Sequence, residues 1–313
     1  MAFALTFPGQ GSQQVGMGRA LAEAFTTARD VFGEVDEALS QKLSRVMWEG
    51  PEEELTLTEN AQPALMAVSM AVMRVLERDV GASPVAKARF VAGHSLGEYS
   101  ALAAAGTFSL ADTARLLKIR GRAMQLAVPV GEGAMAALLG LEIDDAAQAA
   151  TAGAALGICQ VANDNAPGQI VISGARVAVE RAVEVAKEIG AKRAIMLLVS
   201  APFHCALMQP AADAMTGALA DVEMTLPAVP LVANVTASHV SDPATIRDLL
   251  VEQVTGMVRW RESVAYMVGE GVDTFYEIGA GKVLSGLARR IDREVGAVSV
   301  ATPDDVDSLH SAF

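Results

Sequence analysis

Gly93-His94-Ser95-Leu96-Gly97 carries the densest chemistry in the sequence. A serine with a glycine two residues away on either side stands between an apolar strand, Phe90–Ala92, and a helical pattern that resumes at about Leu96. That is the composition of a nucleophile elbow. A sharp strand-to-helix turn exposes the hydroxyl at the carboxyl end of a sheet, small neighbours make the turn feasible, and the helix N-terminus offers backbone donors. The competing reading is a glycine-rich turn in which Ser95 merely caps a helix; the correct flanking elements favour the nucleophile. A serine hydroxyl needs a base, and the chain holds four histidines. His94 adjoins Ser95 in the turn, so its side chain should point away from the hydroxyl. His310 lies in a polar tail and His239 in a loop, Thr236-Ala237-Ser238-His239. His204, in Ser200-Ala201-Pro202-Phe203-His204-Cys205, follows a strand at a junction between regions, where clefts form. His204 is therefore the expected base, against the alternative of a satisfied structural histidine. Cys205 is a rival nucleophile, but free cysteines are usually small buried hydrophobes, and adjacency in sequence does not bring two side chains together.

Phe7-Pro8-Gly9-Gln10-Gly11-Ser12-Gln13 follows the first strand. The dinucleotide fingerprint fails because Gln14 stands where its third glycine belongs. The N–H of Gln10, between two glycines, could instead join that of Leu96 in an oxyanion hole; the alternative is an ordinary polar turn. Gly279-Ala280-Gly281-Lys282 is not a Walker loop, since Tyr276 and Val283 occupy positions that need glycine and Ser or Thr; it reads as a strand-to-helix turn. Arg120-Gly121-Arg122 sits in an otherwise apolar helix. An arginine there either snorkels to solvent or offers a fork for a carboxylate.

The elements that must position these groups alternate strand and helix. Phe3–Phe7 reads as a strand, Val15–Leu39 as a helix, and Asn60 as the cap of a helix to about Val80 with Pro63 in its first turn. Ser109 and Asp112 form a capping box for Leu110–Leu126. Then the pattern changes: strand Ala134–Leu139, helix Ile143–Thr151, strands Gly157–Ala162 and Gln169–Ser173 about an Asn163–Gly168 turn, helix Arg176–Ile189 and strand Arg193–Leu198. This β-α-β-β-α-β order is ferredoxin-like. The expected fold is α/β: a large domain with a mostly parallel sheet, residues 1–130 and 200–313, interrupted by a small subdomain at 131–199. Helices near Ala206–Leu219, Ala244–Val254, Glu262–Glu270 and Lys282–Glu294, with strands Leu231–Asn234 and Thr274–Ile278, complete the core, and the last dozen residues read as a polar tail.

Composition excludes several classes. The 313 residues are 52% hydrophobic, ample for a core, and carry a net charge of −13, which disfavours broad binding to nucleic acid or an anionic membrane. Two cysteines, Cys159 and Cys205, allow neither a disulfide scaffold nor a four-cysteine zinc site. No apolar run reaches the ~18 residues of a membrane span, and Pro8-Gly9 ends the first apolar run too early for a secretory leader. A cytoplasmic monomer without metal or redox cofactor is expected.

The ordered motifs resemble the malonyl-CoA:acyl-carrier-protein transacylases of bacterial type II fatty-acid synthesis, relatives of polyketide synthase acyltransferase domains. They are Phe-Pro-Gly-Gln-Gly-Ser-Gln at 7–13, Asn-Ala-Gln-Pro-Ala-Leu at 60–65, Gly-His-Ser-Leu-Gly-Glu-Tyr at 93–99, Arg-Gly-Arg-Ala-Met at 120–124, Pro-Gly-Gln at 167–169, Pro-Phe-His at 202–204 and Glu-Ile-Gly-Ala-Gly-Lys-Val-Leu at 277–284. Ala280 departs from the proline common there. The resemblance spans essentially the whole chain. It implies a hydrolase-like core, Ser95 as the residue that takes the malonyl group, His204 as general base and then acid, Arg120 as the malonyl carboxylate clamp, Gln10 and Leu96 as oxyanion donors and Gln62 as a supporting pocket residue. It also implies that the backbone carbonyl of Gln253, not a carboxylate, orients the imidazole. Malonyl-CoA and acyl carrier protein are the implied partners. Because carrier proteins are acidic, an acidic chain needs a local basic surface; Lys192-Arg193 and Arg289-Arg290 are the candidates. A polyketide-type transferase of another acyl-CoA and a serine thioesterase or hydrolase are the alternatives.

Overall fold

The structure, a computed structural model, describes residues 2–309. β1 (Ala2–Phe7) is buried over nearly its whole length, as a strand covered on both faces must be. Its pleat sends Phe3, Leu5 and Phe7 into one core and Ala4 into another. It lies inside a six-stranded sheet ordered β10-β9-β1-β2-β7-β8. The other members are β2 (Phe90–Gly93), β7 (Leu231–Val232), β8 (His239–Val240), β9 (Val272–Ile278) and β10 (Gly296–Val300). Every pairing is parallel except β8 on β7. The larger core holds the long helix Thr58–Arg78, buried almost all round, and the helix Leu110–Leu126 beside it. Trp260, Phe275 and Phe90 centre the core on the opposite face.

A second sheet is wholly antiparallel, ordered β4-β5-β3-β6 from β3 (Gly133–Leu139), β4 (Cys159–Ala166), β5 (Gln169–Ala175) and β6 (Arg193–Met196). With the helices Ile143–Gly153 and Arg176–Glu188 it makes the ferredoxin-like β-α-β-β-α-β order. Small residues, among them Ala146, Ala149, Ala178 and Ala182, let the helices lie close on one face. The opposite face carries Met135 and Val171 against Leu197, Val199 and Phe203. β4 is stitched to the larger unit: Val258 exchanges backbone hydrogen bonds with Ala162 and Asp164 (2.9 and 3.0 Å), and Arg261 pairs with the buried Asp164 carboxylate at 2.8 Å.

Several expected elements are shifted, each for a visible reason. The Val15–Leu39 helix is two helices, Arg19–Ala24 and Thr26–Leu39, because Phe25 turns extended to reach the core while Arg29 caps the carbonyl of Ala22. Asn60 is not a cap. The helix already begins at Thr58, and Asn60 binds the Glu54 carbonyl, Gln41 and Lys118 instead. Pro63 consequently lies beyond the first turn, where its missing N–H does remove a helical bond. The Ser109 hydroxyl does cap its helix, accepting from Asp112 N at 3.0 Å, but the Asp112 carboxylate binds that hydroxyl at 2.7 Å rather than the Ser109 N–H. The Asn163–Gly168 stretch is mostly strand: β4 runs to Ala166 through two irregularities and only Pro167-Gly168 turns. His239 lies in β8, not a loop. The described part of the expected tail, residues 302–309, is not irregular, and a strand that was not expected precedes it. β10 adds an edge strand, and Thr302 with Asp305 forms a capping box for the helix Pro303–Ser308, which buries Val306. His310 lies outside the described residues.

Candidate active site

Two glycines make the elbow possible. A Cβ on Gly93 would lie 1.9 Å from the Gly97 carbonyl, and one on Gly97 would lie 2.2 Å from the Phe7 carbonyl oxygen. β2 can thus turn directly into the helix Gly97–Ala104 while packed against the end of β1. Ser95 sits at the apex with φ 53°, a left-handed conformation that a non-glycine residue holds only under constraint. Its Oγ is 2.8 Å from Nε2 of His204.

His204 also has a positive φ, 57°, and is buried. Its Nδ1 lies 2.9 Å from the carbonyl oxygen of Gln253 and 3.2 Å from that of Gly256. Carbonyl oxygens only accept, so Nδ1 carries the proton and Nε2 is left with the lone pair that receives the Ser95 hydroxyl. No carboxylate is needed to fix this tautomer. Burial, then the neighbouring Arg120 cation, pulls His204 down to about 3, so the imidazole is neutral near pH 7.

Arg120 comes from the helix Leu110–Leu126 and is 1% exposed, whereas Arg122 on the same helix is exposed. Its Nη1 donates to Gln62 Oε1 (2.8 Å) and its Nη2 to Gln253 Oε1 (2.8 Å) and Ser95 Oγ (3.1 Å). Nε is buried without a partner among the described residues. The guanidinium lies over the Tyr99 ring, its carbon 5.7 Å from the centroid. Burial shifts Arg120 downward from its ordinary value.

A cavity of about 360 Å³ opens onto these groups, with Gln10, Leu96, Ser95, Arg120, Gln62 and His204 in its wall. No acceptor among the described residues takes the backbone N–H of Gln10 or Leu96. The first belongs to the loop after β1, which approaches so closely that a Cβ on Gly9 would be 2.8 Å from the His94 carbonyl oxygen; the second leads into a helix N-terminus. Two unused donors beside a serine hydroxyl suit a developing oxyanion.

The sequence-predicted residues Ser95, His204, Gln10, Leu96, Arg120 and Gln62 thus line one cavity, and Gln253 stands behind it, bonded to His204, Arg120 and Ser95. His94 points elsewhere, pairing through Nε2 with Asn165 at 2.8 Å. Cys205 is buried, donates to the Pro202 carbonyl at 3.1 Å, and has its thiol pushed up by burial; that is the opposite of an activated nucleophile. Lys192, Arg193, Arg289 and Arg290 are all exposed. Lys192 and Arg290 flank the adjoining turns at Gly140 and Gly168, while Arg289 binds the Ala297 carbonyl of β10. Three polar residues escaped the sequence reading. Asn234 accepts the Ser95 N–H at 2.8 Å and Asn165 holds His94. Glu98 is fully buried and raised to about 7, chiefly by desolvation. A carboxylate one turn beyond the serine, in the otherwise uncharged helix Gly97–Ala104, was the signal for Glu98; the asparagines had none. Among the described residues no cluster of His, Cys, Asp and Glu could hold a metal ion.

The acyl transferase domain family matches residues 5–302. The malonyl CoA-acyl carrier protein transacylase of Bacillus subtilis is 47% identical over 305 residues, 97% of this chain and 95% of that protein. The crystal structure of an acyl-carrier-protein-S-malonyltransferase from Bartonella henselae superposes with a TM-score of 0.96 at 61% identity, covering 98% of each chain. A malonyl-transacylase solved in complex with its type II PKS acyl-carrier protein superposes with a TM-score of 0.96 at 42% identity over the full length of both chains.

Proposed function

This chain belongs to the acyl transferase family, and from that premise we propose that it moves a malonyl group from malonyl-CoA to the phosphopantetheine thiol of an acyl carrier protein, supplying extender units for fatty-acid synthesis. The observation that carries the reading is the buried Arg120 in the cavity wall, whose Nη2 lies 3.1 Å from Ser95 Oγ, beside the Ser95–His204 pair. A serine hydrolase for neutral acyl groups has no use for a buried cation there. An acyl group ending in a carboxylate does.

The reaction runs in two halves. His204 Nε2 takes the proton of Ser95 Oγ as the oxygen attacks the malonyl thioester carbonyl. The N–H groups of Gln10 and Leu96 receive the negative charge, and the Gln253 carbonyl steadies the imidazolium that forms. Collapse breaks the C–S bond, and His204 returns the proton to the departing CoA thiolate. The carrier thiol then gives its proton to His204, attacks the seryl ester and releases Ser95 Oγ, which recovers the proton. Arg120 binds the malonyl carboxylate through its spare N–H groups, with Gln62 and Gln253 fixing the guanidinium plane. Neither half requires a metal or cofactor. In this reading the enzyme is a cytoplasmic monomer; separately, no helix among the described residues is long and apolar enough to cross a membrane. The acidic carrier docks on Lys192, Arg193, Arg289 and Arg290.

Intact mass after brief incubation with malonyl-CoA, beside acetyl-CoA and a Ser95→Ala control, tests this. A malonyl adduct on the native protein and none on Ser95→Ala is the expected result. Steady CoA release without an adduct would make the protein a thioesterase, and no reaction with either thioester would overturn the catalytic reading.

A further inference from the structure

Ser95 is held at its strained φ by hydrogen bonds to both ends of its own residue. Its N–H donates to Asn234 Oδ1 at 2.8 Å, and its carbonyl accepts from Gln253 Nε2 at 3.0 Å. Asn234 also donates Nδ2 to the Gly93 carbonyl at 2.7 Å, so it grips the elbow on both sides of His94. The two clamping residues come from remote parts of the chain, the segment after β7 and the helix Pro243–Thr255. They meet at a single atom: Oε2 of Glu98 accepts from Gln253 Nε2 at 2.7 Å and from the backbone N of Asn234 at 3.2 Å.

We propose that Glu98 is the positioning residue of this site, one oxygen of its buried side chain aligning both residues that fix the Ser95 peptide and, through Gln253, the guanidinium of Arg120. The assignment rests on the transferase reading above and deepens it.

The argument is one of acceptor geometry. Oε2 can only accept, so it draws the amide nitrogen of Gln253 toward itself. That turns Gln253 Oε1 the other way, onto Arg120 Nη2 at 2.8 Å. Without that acceptor the amide nitrogen keeps only the longer bond to the Ser95 carbonyl, and the flipped form would set an NH₂ against a guanidinium. The same residue's backbone carbonyl orients His204. Glu98 therefore acts on the nucleophile, the clamp and the base through Gln253, and on the nucleophile again through Asn234. Its other oxygen, Oε1, is buried with no partner among the described residues. A proton there leaves Oε2 free to accept, so the carboxyl and carboxylate forms both maintain the arrangement. By the same reasoning a glutamine, with its amide nitrogen at the unpartnered position, preserves it. Aspartate keeps the acidic group but is one methylene too short to serve both donors from the same helix, and leucine keeps the bulk but offers no acceptor.

Single-turnover acylation by malonyl-CoA and by acetyl-CoA, with melting curves, separates these cases for wild type, Glu98→Gln, Glu98→Asp and Glu98→Leu. Glu98→Gln should stay within threefold of wild type. Glu98→Asp and Glu98→Leu should lose at least 30-fold in the acylation rate for both thioesters, and more for malonyl-CoA than for acetyl-CoA, because the clamp is misaligned along with the nucleophile. A merely structural Glu98 would lower the melting temperature and leave the rate per folded molecule unchanged, which overturns the assignment. Glu98→Gln as slow as Glu98→Asp also overturns it, because charge rather than acceptor geometry would then be at work. Should Glu98→Leu not fold, the Gln and Asp variants still decide. Wild-type protein that is acylated by neither thioester would overturn the transferase reading itself, an outcome distinct from an active wild type with indifferent Glu98 variants.

Discussion

Replacing Arg120 with alanine removes the one buried cation among the described residues of the cavity wall, and the structure sets the size of the effect. A guanidinium has five N–H donors; Gln62, Gln253 and Ser95 take three of them. Two remain for a substrate carboxylate. Hydrogen bonds to a charged partner contribute roughly 1.5–3 kcal/mol each, so the pair supplies about 3–6 kcal/mol that an acetyl group cannot claim. At 1.36 kcal/mol per tenfold, the malonyl:acetyl ratio of kcat/KM should fall by roughly 10²–10⁴ in Arg120→Ala. The ratio is the proper readout, because the substitution also strips Ser95 Oγ, Gln62 and Gln253 of a donor, and that damage burdens both thioesters alike. CoA release in the presence of carrier protein gives kcat/KM for malonyl-CoA and acetyl-CoA with each protein. A ratio within threefold of wild type would refute the clamp.

Four further outcomes follow from the same geometry. With His204 held down to about 3, its base form persists far below neutrality, so single-turnover malonylation should stay level from pH 7.5 to 5; a histidine at 6.5 would instead cost about 30-fold at pH 5, and a decline of tenfold per unit below 6.5 would contradict the neutral-imidazole site. The same depression lowers fold stability as pH drops from 6.5 toward about 3, because the unfolded chain binds a proton that the buried imidazole refuses; denaturant midpoints across that range, compared with His204→Ala, isolate the contribution. Reversing Lys192 and Arg290 to glutamate should raise KM for carrier protein at low salt and leave acylation by malonyl-CoA unchanged; an unaltered KM rejects the patch. Gly97→Ala places a methyl 2.2 Å from the Phe7 carbonyl oxygen and should destabilise by ~3 kcal/mol, the upper end for overpacking, so a variant melting like wild type would show that the elbow can relax.

The site was legible where chemistry dictates residue type within a few neighbouring positions. The elbow glycines are demanded by contacts under 2.3 Å, and the turn chemistry of Pro8-Gly9 and Pro202 punctuates the chain at the places where Gln10 and His204 enter the cavity. The role of the Gln253 backbone was implied only by resemblance, since a carbonyl leaves no mark in a sequence. Asn234 was invisible for a related reason: nothing at that position signals that the side chain will meet a peptide 139 residues away. In the fold, period and turn signals placed the four strands of the inserted sheet and four of the six in the larger one, but not the edge strands β8 and β10. The misreadings came where tertiary contacts overrode local preference, as when Asn163-Asp164-Asn165 became strand because Val258, Arg261 and His94 take up its polar groups. The terminal helix was a different error: its Thr302–Asp305 box and buried Val306 were present in the sequence, hidden by the acidic residues around them.

The wall of the cavity has two origins. Ser95, His204, Arg120 and the residues that hold them all stand outside the antiparallel sheet, whereas Met135, Asn163, Asn165 and Val171, which complete the enclosure, come from β3, β4 and β5 within it. Reactivity and capacity are thereby assigned to different stretches of chain. Substitutions in the inserted sheet can enlarge or reshape the space for the acyl group while the nucleophile and its base keep their mutual geometry. A scaffold divided in this way can diversify its acyl donors by drift in one segment alone, without passing through forms that have lost the means to react.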